Sequence, residues 1–218
     1  MTSTLRLTLL ADGRGDACLL VLLRWLVSEA MCDVQIEPVF ADLGNMRQPP
    51  KTLDARIRAA IELYPCDLLF VHRDAEAQPV DDRIGEIRRA IGAAMTVDRW
   101  VPVVPVRMTE AWLLVDERAI RVAAANPSGR VALELPPLSR LETLSSPKEV
   151  LRRALEKASE RTGRRLQQFR RDMGQHVQRV AQLMQQKEKL RELPAFKRLE
   201  KDTREALRRW AETCGTCL

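Results

Sequence analysis

The chain has 218 residues, 45% of them hydrophobic and 30% charged, an ordinary globular balance that allows one substantial core or a core plus a small helical appendage. Its longest apolar stretch, Ala17 to Val27, is interrupted by Arg24 and is too short to span a bilayer, and Met1-Thr2-Ser3-Thr4 lacks the basic start of a secretory signal. The net charge of +6 is unevenly spread: residues 151–218 hold 18 Lys+Arg against 9 Asp+Glu, which is +9 and leaves −3 on the first 150.

Five cysteines are odd in number and irregularly spaced. Cys18, Cys32 and Cys66 sit among apolar residues, where reduced thiols behave as small hydrophobes. Cys214 and Cys217 form one C-x-x-C, and no second such pair or paired histidines complete a zinc site. The expectation is a cytoplasmic protein without a membrane segment.

In chain order, Arg6 to Leu10 reads as a strand, followed by the turn Ala11 to Asp16 and an apolar helix from Ala17 to Ala30. Val34 to Phe40 reads as a second strand, placed near an edge by Pro38. An amphipathic helix spans Leu53 to Tyr64, and Asp67 to His72 is a buried type of strand. A helix from Asp81 to Met95 precedes a fourth strand, Trp100 to Val106, whose prolines again suggest an edge or a bulge. The pattern is helical from Glu110 to Ala125. A loop covers Asn126 to Pro147, with a short strand suggested at Val131 to Leu135. Ser146-Pro147-Lys148-Glu149 has the form of a helix start, Ser146 being the cap. Helices then continue to the end, punctuated by Gly163, Gly174 and Pro194.

Strands alternating with helices predict an α/β fold: a mostly parallel sheet flanked by helices, followed by an all-helical C-terminal region. The divisions expected are an α/β domain over 1–126, a connecting loop over 127–147 and a basic helical region over 148–218.

Parallel sheets carry their functional groups at the carboxyl ends of the strands, and acidic residues gather there. Asp12-Gly13-Arg14-Gly15-Asp16 leaves the first strand, its glycines suited to a tight turn. It is neither a dinucleotide fingerprint nor a Walker motif. His72-Arg73-Asp74-Ala75-Glu76 leaves the third strand, and its two carboxylates can aim at one divalent ion. His72 suits either a general base or, more commonly, a packed and hydrogen-bonded strand end. Glu110 follows the fourth strand, whereas Asp116 suits a cap for the next helix. Like charges so crowded repel unless a cation neutralises them, which points to Mg²⁺ or Mn²⁺.

A strand, then acid-Gly-x-x-Asp and a helix, then a later strand ending in Asp-x-acid, resembles the TOPRIM domain shared by type-II and type-IA topoisomerases, DnaG-type primases and overcoming-lysogenization-defect nucleases. Glu110-Ala111-Trp112-Leu113-Leu114-Val115-Asp116 is similar to a segment of bacterial TOPRIM-like proteins, some of which accompany ATPases in phage-defence loci. The resemblance covers residues 5–125. It implies that Asp12 stands at the family's glutamate, one methylene shorter, Asp16 at the trailing acid, and Asp74 and Glu76 at the Asp-x-Asp. It further implies a metal-dependent nuclease in which Asp12, Asp74 and Glu76 hold Mg²⁺ or Mn²⁺, with Glu110 beside them as a fourth catalytic carboxylate. The alternative is a catalytically silent subunit that binds nucleic acid or a separate ATPase, and a third reading is an enzyme on a phosphate-bearing small molecule. The single tyrosine, Tyr64, lies away from the acidic edge, against covalent topoisomerase chemistry.

In the basic third, Arg164, Arg165, Arg170 and Arg171 are candidates for nucleic-acid backbone contact, because the arginine fork matches phosphate oxygens. Arg152-Arg153 and Arg208-Arg209 repeat the pattern. Phe169, Phe196 and Trp210 are too sparse for a stacking platform and are expected in the helical core. Val177, Val180, Ala181 and Met184 form an i, i+3, i+4, i+7 stripe that suits internal packing, or pairing with a second copy in a homo-oligomer.

Overall fold

The computed structural model describes residues 3–31, 34–76, 78–94 and 99–214, without the side chain of Cys214. Cys32 and the Cys217 half of the C-x-x-C lie outside the described residues. The backbone divides into two compact units, Met1–Val104 with Arg198–Leu218, and Pro105–Lys197. Compactness therefore draws its boundaries away from residues 126 and 147, and assigns most of the last helix to the α/β unit.

The first unit is built on four strands: β1 (Ser3–Leu10), β2 (Val34–Phe40), β3 (Leu68–His72) and β4 (Trp100–Val103). They form one all-parallel sheet in the order β2-β1-β3-β4. Every residue of β3 is buried, as expected of an inner parallel strand covered on both faces. Pro38 and Pro102 lie on the two edge strands, where a missing backbone donor costs least.

Three helices cross between these strands: α1 (Leu19–Ala30), α2 (Leu53–Leu63) and α3 (Val80–Ala94). Leu19, Leu22, Leu23, Leu26 and Val27 form the buried stripe of α1 at helical spacing. Ile57 and Ala60 of α2 join Ile84, Ile87 and Ile91 of α3 in one apolar cluster with Leu10, Leu69 and Val71 of the sheet. The chain steps from β1 to β2, then back across β1 to β3 and on to β4. Right-handed crossovers then set α1 on the face opposite α2 and α3. At the other end of the strands, Asp67 accepts from Arg6 through Nε (2.9 Å) and Nη2 (2.7 Å), tying the start of β3 to β1.

The second unit holds α4 (Glu110–Leu113), α5 (Glu117–Ala123), α6 (Pro147–Ser159), α7 (Gly163–Arg171) and α8 (Met173–Leu183). The final helix, α9 (Pro194–Cys214), begins there and runs into the first unit. Trp112 is fully buried and meets Phe196 edge-to-face, with ring centroids 5.2 Å apart. Phe169, Phe196 and Trp210 are all buried, as are Val180, Ala181 and Met184, so these residues serve internal packing. No strand forms at Val131–Leu135. A 3-10 turn at Leu138–Thr143 occupies the loop instead, and Val131 is 46% exposed. Strand preference is weak by itself, and a run this short is not held extended by propensity alone.

Helix α6 begins at Pro147, yet the Ser146 side chain makes no capping bond, so proline's fixed φ marks that start. Gly174 falls inside α8 rather than between helices, whereas Gly163 opens α7 with φ +54, a conformation suited to glycine. No helix among the described residues is long and apolar enough to cross a membrane.

Candidate functional site

Because β1 and β3 are paired neighbours, the loops leaving their carboxyl ends lie side by side where the strand order reverses. Open α/β sheets leave a crevice at that position. Asp12 and Asp16 sit on the first loop, Asp74 and Glu76 on the second. The tight turn expected of the first loop is present, although its backbone does not demand glycine. Gly13 is extended (φ −147), and a Cβ at Gly13 or Gly15 would meet nothing within 4 Å. The turn is closed twice over: the Asp16 amide donates to the Gly13 carbonyl at 3.1 Å and Asp16 Oδ2 accepts from the Gly13 amide at 3.1 Å, leading into a 3-10 turn at Arg14–Cys18.

The carboxylates are interleaved with the chain's own cations. Asp12 Oδ1 is 2.6 Å from Arg56 Nη1, and its Oδ2 is 3.0 Å from Arg73 Nε. Arg73 continues through Nη1 to Glu86 at 2.9 Å, and Glu86 pairs in turn with Arg83 at 2.6 Å. His72 is buried between the other two acids. Its Nε2 is 3.4 Å from Asp74 Oδ1 and 3.7 Å from Asp16 Oδ1, while Nδ1 is 2.9 Å from the Val103 carbonyl.

Both ring nitrogens of His72 face accepting oxygens, the Val103 carbonyl at Nδ1 and the carboxylates of Asp74 and Asp16 at Nε2, a setting that favours the protonated ring. Burial alone would lower its pKa. The attraction of Asp16, and then the charge of Asp74, outweigh burial and raise it above the ordinary histidine value. Asp12, Asp16, Asp74 and Glu86 are thus matched by Arg56, Arg73, His72 and Arg83. The crowding from which a divalent ion was expected is relieved here by side chains. Among the described residues, no three His, Cys, Asp or Glu side chains converge as ligands for one ion.

Glu76 is exposed and holds a left-handed backbone (φ 54) two residues after Asp74. A non-glycine residue there costs on the order of 1 kcal/mol or more, and such strain often gathers at functional loops. Glu110 opens α4 and belongs to the second unit. In that unit Asp116, 1% exposed, has the capping role expected and more. Its Oδ1 accepts from the Ala119 amide (3.0 Å), and its Oδ2 accepts from the amides of Gln185 (2.8 Å) and Gln186 (3.1 Å).

Of the four arginines singled out on α7, Arg164, Arg165 and Arg171 are exposed. Arg170 is also exposed, but its fork is spent on Glu156, with Nε to Oε1 at 2.9 Å and Nη2 to Oε2 at 2.7 Å. That pair raises the Arg170 pKa and lowers that of Glu156. Arg164 and Arg165 stand in the first turn of α7, where the helix dipole disfavours positive charge.

Sequence reasoning missed Arg56 and Arg73. Arg56 read as the polar face of an amphipathic helix, and only the sheet order brings it to Asp12. For Arg73 there was a signal, its place between His72 and Asp74. Also missed was a cleft of about 470 Å³ between the loops leaving β1 and β2, lined by Arg14, Phe40, Asp42 and Lys51 among others.

Compared with protein-family models, curated proteins and solved structures, the chain matches none.

Proposed function

We propose that the chain is a nuclease of TOPRIM type that hydrolyses nucleic-acid phosphodiesters with Mg²⁺ or Mn²⁺, acting in the cytoplasm and suited to phage defence. The observation that carries this reading is the pairing of β1 with β3, which brings the Asp12 and Asp74 loops to one crevice. The donor set fits a hard divalent ion in kind, since Asp12, Asp74 and Glu76 offer only carboxylate oxygens. Those three would hold the ion, which when bound supplies a Lewis acid for the phosphate and an activated water.

The chain's own residues have distinct tasks. Arg56 and Arg73 fix Asp12 from two sides and compete with any ion for its oxygens. His72 lies with Nε2 between Asp16 and Asp74, which ties the two loops together. Arg164, Arg165 and Arg171 provide sequence-independent contact to phosphates.

The test is incubation of single- and double-stranded DNA and RNA with the wild type and Asp74→Asn, with and without Mg²⁺ or Mn²⁺. Metal-dependent cleavage by the wild type, lost in the variant, is expected. A wild type inert on every substrate overturns the reading. A second reading, a silent subunit that binds nucleic acid or an ATPase chain, is favoured by the engagement of both Asp12 oxygens by arginine. It predicts nucleic-acid binding that is indifferent to metal.

A further inference from the structure

We infer that the cleft between the loops leaving β1 and β2 binds one unpaired nucleotide, its base on an apolar wall and its phosphate on a cationic rim. This deepens the nuclease reading, on which it rests for its role as the pocket beside the scissile bond, and it makes single-stranded nucleic acid the substrate class.

The cleft measures about 470 Å³, within the range of roughly 300–1,000 Å³ usual for pockets that enclose a small organic ligand. Its chemistry is two-sided. Phe40, Pro49 and Pro50 supply the apolar part of the lining, Phe40 being the aromatic on which a base can stack. Arg14 and Lys51 line the same space, and both are exposed.

Arg14 is oriented rather than loose. Asp42 Oδ2 accepts from its Nε at 2.8 Å and also from its Nη2. Asp42 is in turn tied down by Asn45 Nδ2 (3.1 Å) and by the Gly44 amide (3.3 Å). The attraction of Arg14 lowers the Asp42 pKa, so this carboxylate stays charged and keeps the arginine in position.

The charge of the lining selects the ligand. Arg14, Lys51 and Arg56 against Asp12 and Asp42 is three cations against two carboxylates, a net +1. That balance suits a single phosphate or a phosphodiester link and is poor for the triphosphate of a free nucleotide cofactor. A base seated on the apolar wall has left its partner strand, so a duplex would have to open to supply it. Asp12 lines this cleft and also pairs with Arg73, which joins the pocket to the acidic crevice through one residue.

The experiment is calorimetric titration of the full chain with adenosine 5′-monophosphate, uridine 5′-monophosphate, ATP, adenosine and inorganic phosphate, all in chelator. The same titrations are run on Lys51→Glu, a change at an exposed site that leaves the core intact. Expected are binding of both monophosphates, at least tenfold weaker binding of adenosine and phosphate, and a tenfold or greater loss in Lys51→Glu. Absence of monophosphate binding overturns the proposal, and so does binding unchanged by Lys51→Glu. Inorganic phosphate bound as tightly as the nucleotides would make the cleft a plain anion site and also overturn it, as would preference for ATP. Nucleotide binding in chelator, together with no cleavage when Mg²⁺ or Mn²⁺ is supplied, would remove the nuclease reading alone. Metal-dependent cleavage whose KM is unmoved by Lys51→Glu would remove the subsite alone.

Discussion

His72 and Asp74, two residues apart on the chain, face each other across 3.4 Å from imidazole Nε2 to carboxylate Oδ1, with the ring buried. This relation changes what should happen when the acidic loop is altered. An acidic cluster that repels itself would gain stability on losing a charge. Asp74 instead lies beside a buried imidazole whose pKa is raised, so Asp74→Asn should lower stability by about 1 kcal/mol near pH 6, the upper end of the scale for a partly exposed ion pair. Urea unfolding of the two proteins measures this, and a variant more stable than wild type would contradict the pairing.

The chain has two histidines, which makes the charge state of His72 directly readable. His72 is raised, with Asp16 and Asp74 overcoming burial. His176 is lowered, chiefly by burial, in a stack on Phe169 with ring centroids 3.9 Å apart. Two imidazole signals in an NMR titration should therefore bracket the ordinary value of about 6.5. A raised folded pKa means that the His72 contribution to stability is complete below about 6.5 and is lost as pH rises through the higher folded value. Signals that both titrate on one side of the ordinary value would refute the arrangement.

Arg73 competes with metal for Asp12 in the nuclease reading. Arg73→Ala removes one counter-charge while Glu86 keeps Arg83. A partly exposed pair of this kind is worth about 0.2–1 kcal/mol, so Mn²⁺ affinity should rise by up to about fivefold. Calorimetry with Mn²⁺ is the readout. Unchanged or weaker affinity would show that Arg73 supports the metal-holding form instead.

The arginines of α7 should separate into two kinds. Charge reversal at Arg164, Arg165 or Arg171 should weaken nucleic-acid binding and flatten log K against log salt by about 0.7–0.9 per lost phosphate contact. Arg170→Glu should chiefly disturb the bidentate pair with Glu156 and shift the melting temperature. A salt slope unchanged by all three reversals would leave α7 as ordinary solvated surface.

Asp116→Ala should be among the costlier changes in the second unit. It leaves three backbone amides without their acceptor, the Ala119 bond being buried and the Gln185 and Gln186 bonds part-buried. A lost cap alone costs about 1 kcal/mol, and part-buried donors left unpaired add less than the roughly 1–3 kcal/mol of fully buried ones. Asp116→Asn, which keeps one acceptor oxygen, should recover part of the loss in denaturant unfolding.

What the sequence determined by itself was local. Apolar spacing and proline marked β2 and its edge position, the buried run of β3, the stripe of α1 and the start of α6 at Pro147. These follow from periodicity and backbone sterics, which act over a few residues. The α/β class and the gathering of Asp12 and Asp74 at strand ends were legible for the same reason, once parallel pairing was assumed. Only the tertiary structure decided which charges answer those carboxylates. Arg56 reaches Asp12 across 44 residues, and Asp116 reaches the amide of Gln186 across 70. Such contacts depend on strand order and helix packing, and neither leaves a periodic trace in the chain. An arginine on an amphipathic helix reads the same whether it faces solvent or an acid on another loop. The acidic crevice could therefore be located from the sequence, while its internal neutralisation by Arg56, Arg73 and His72 could not.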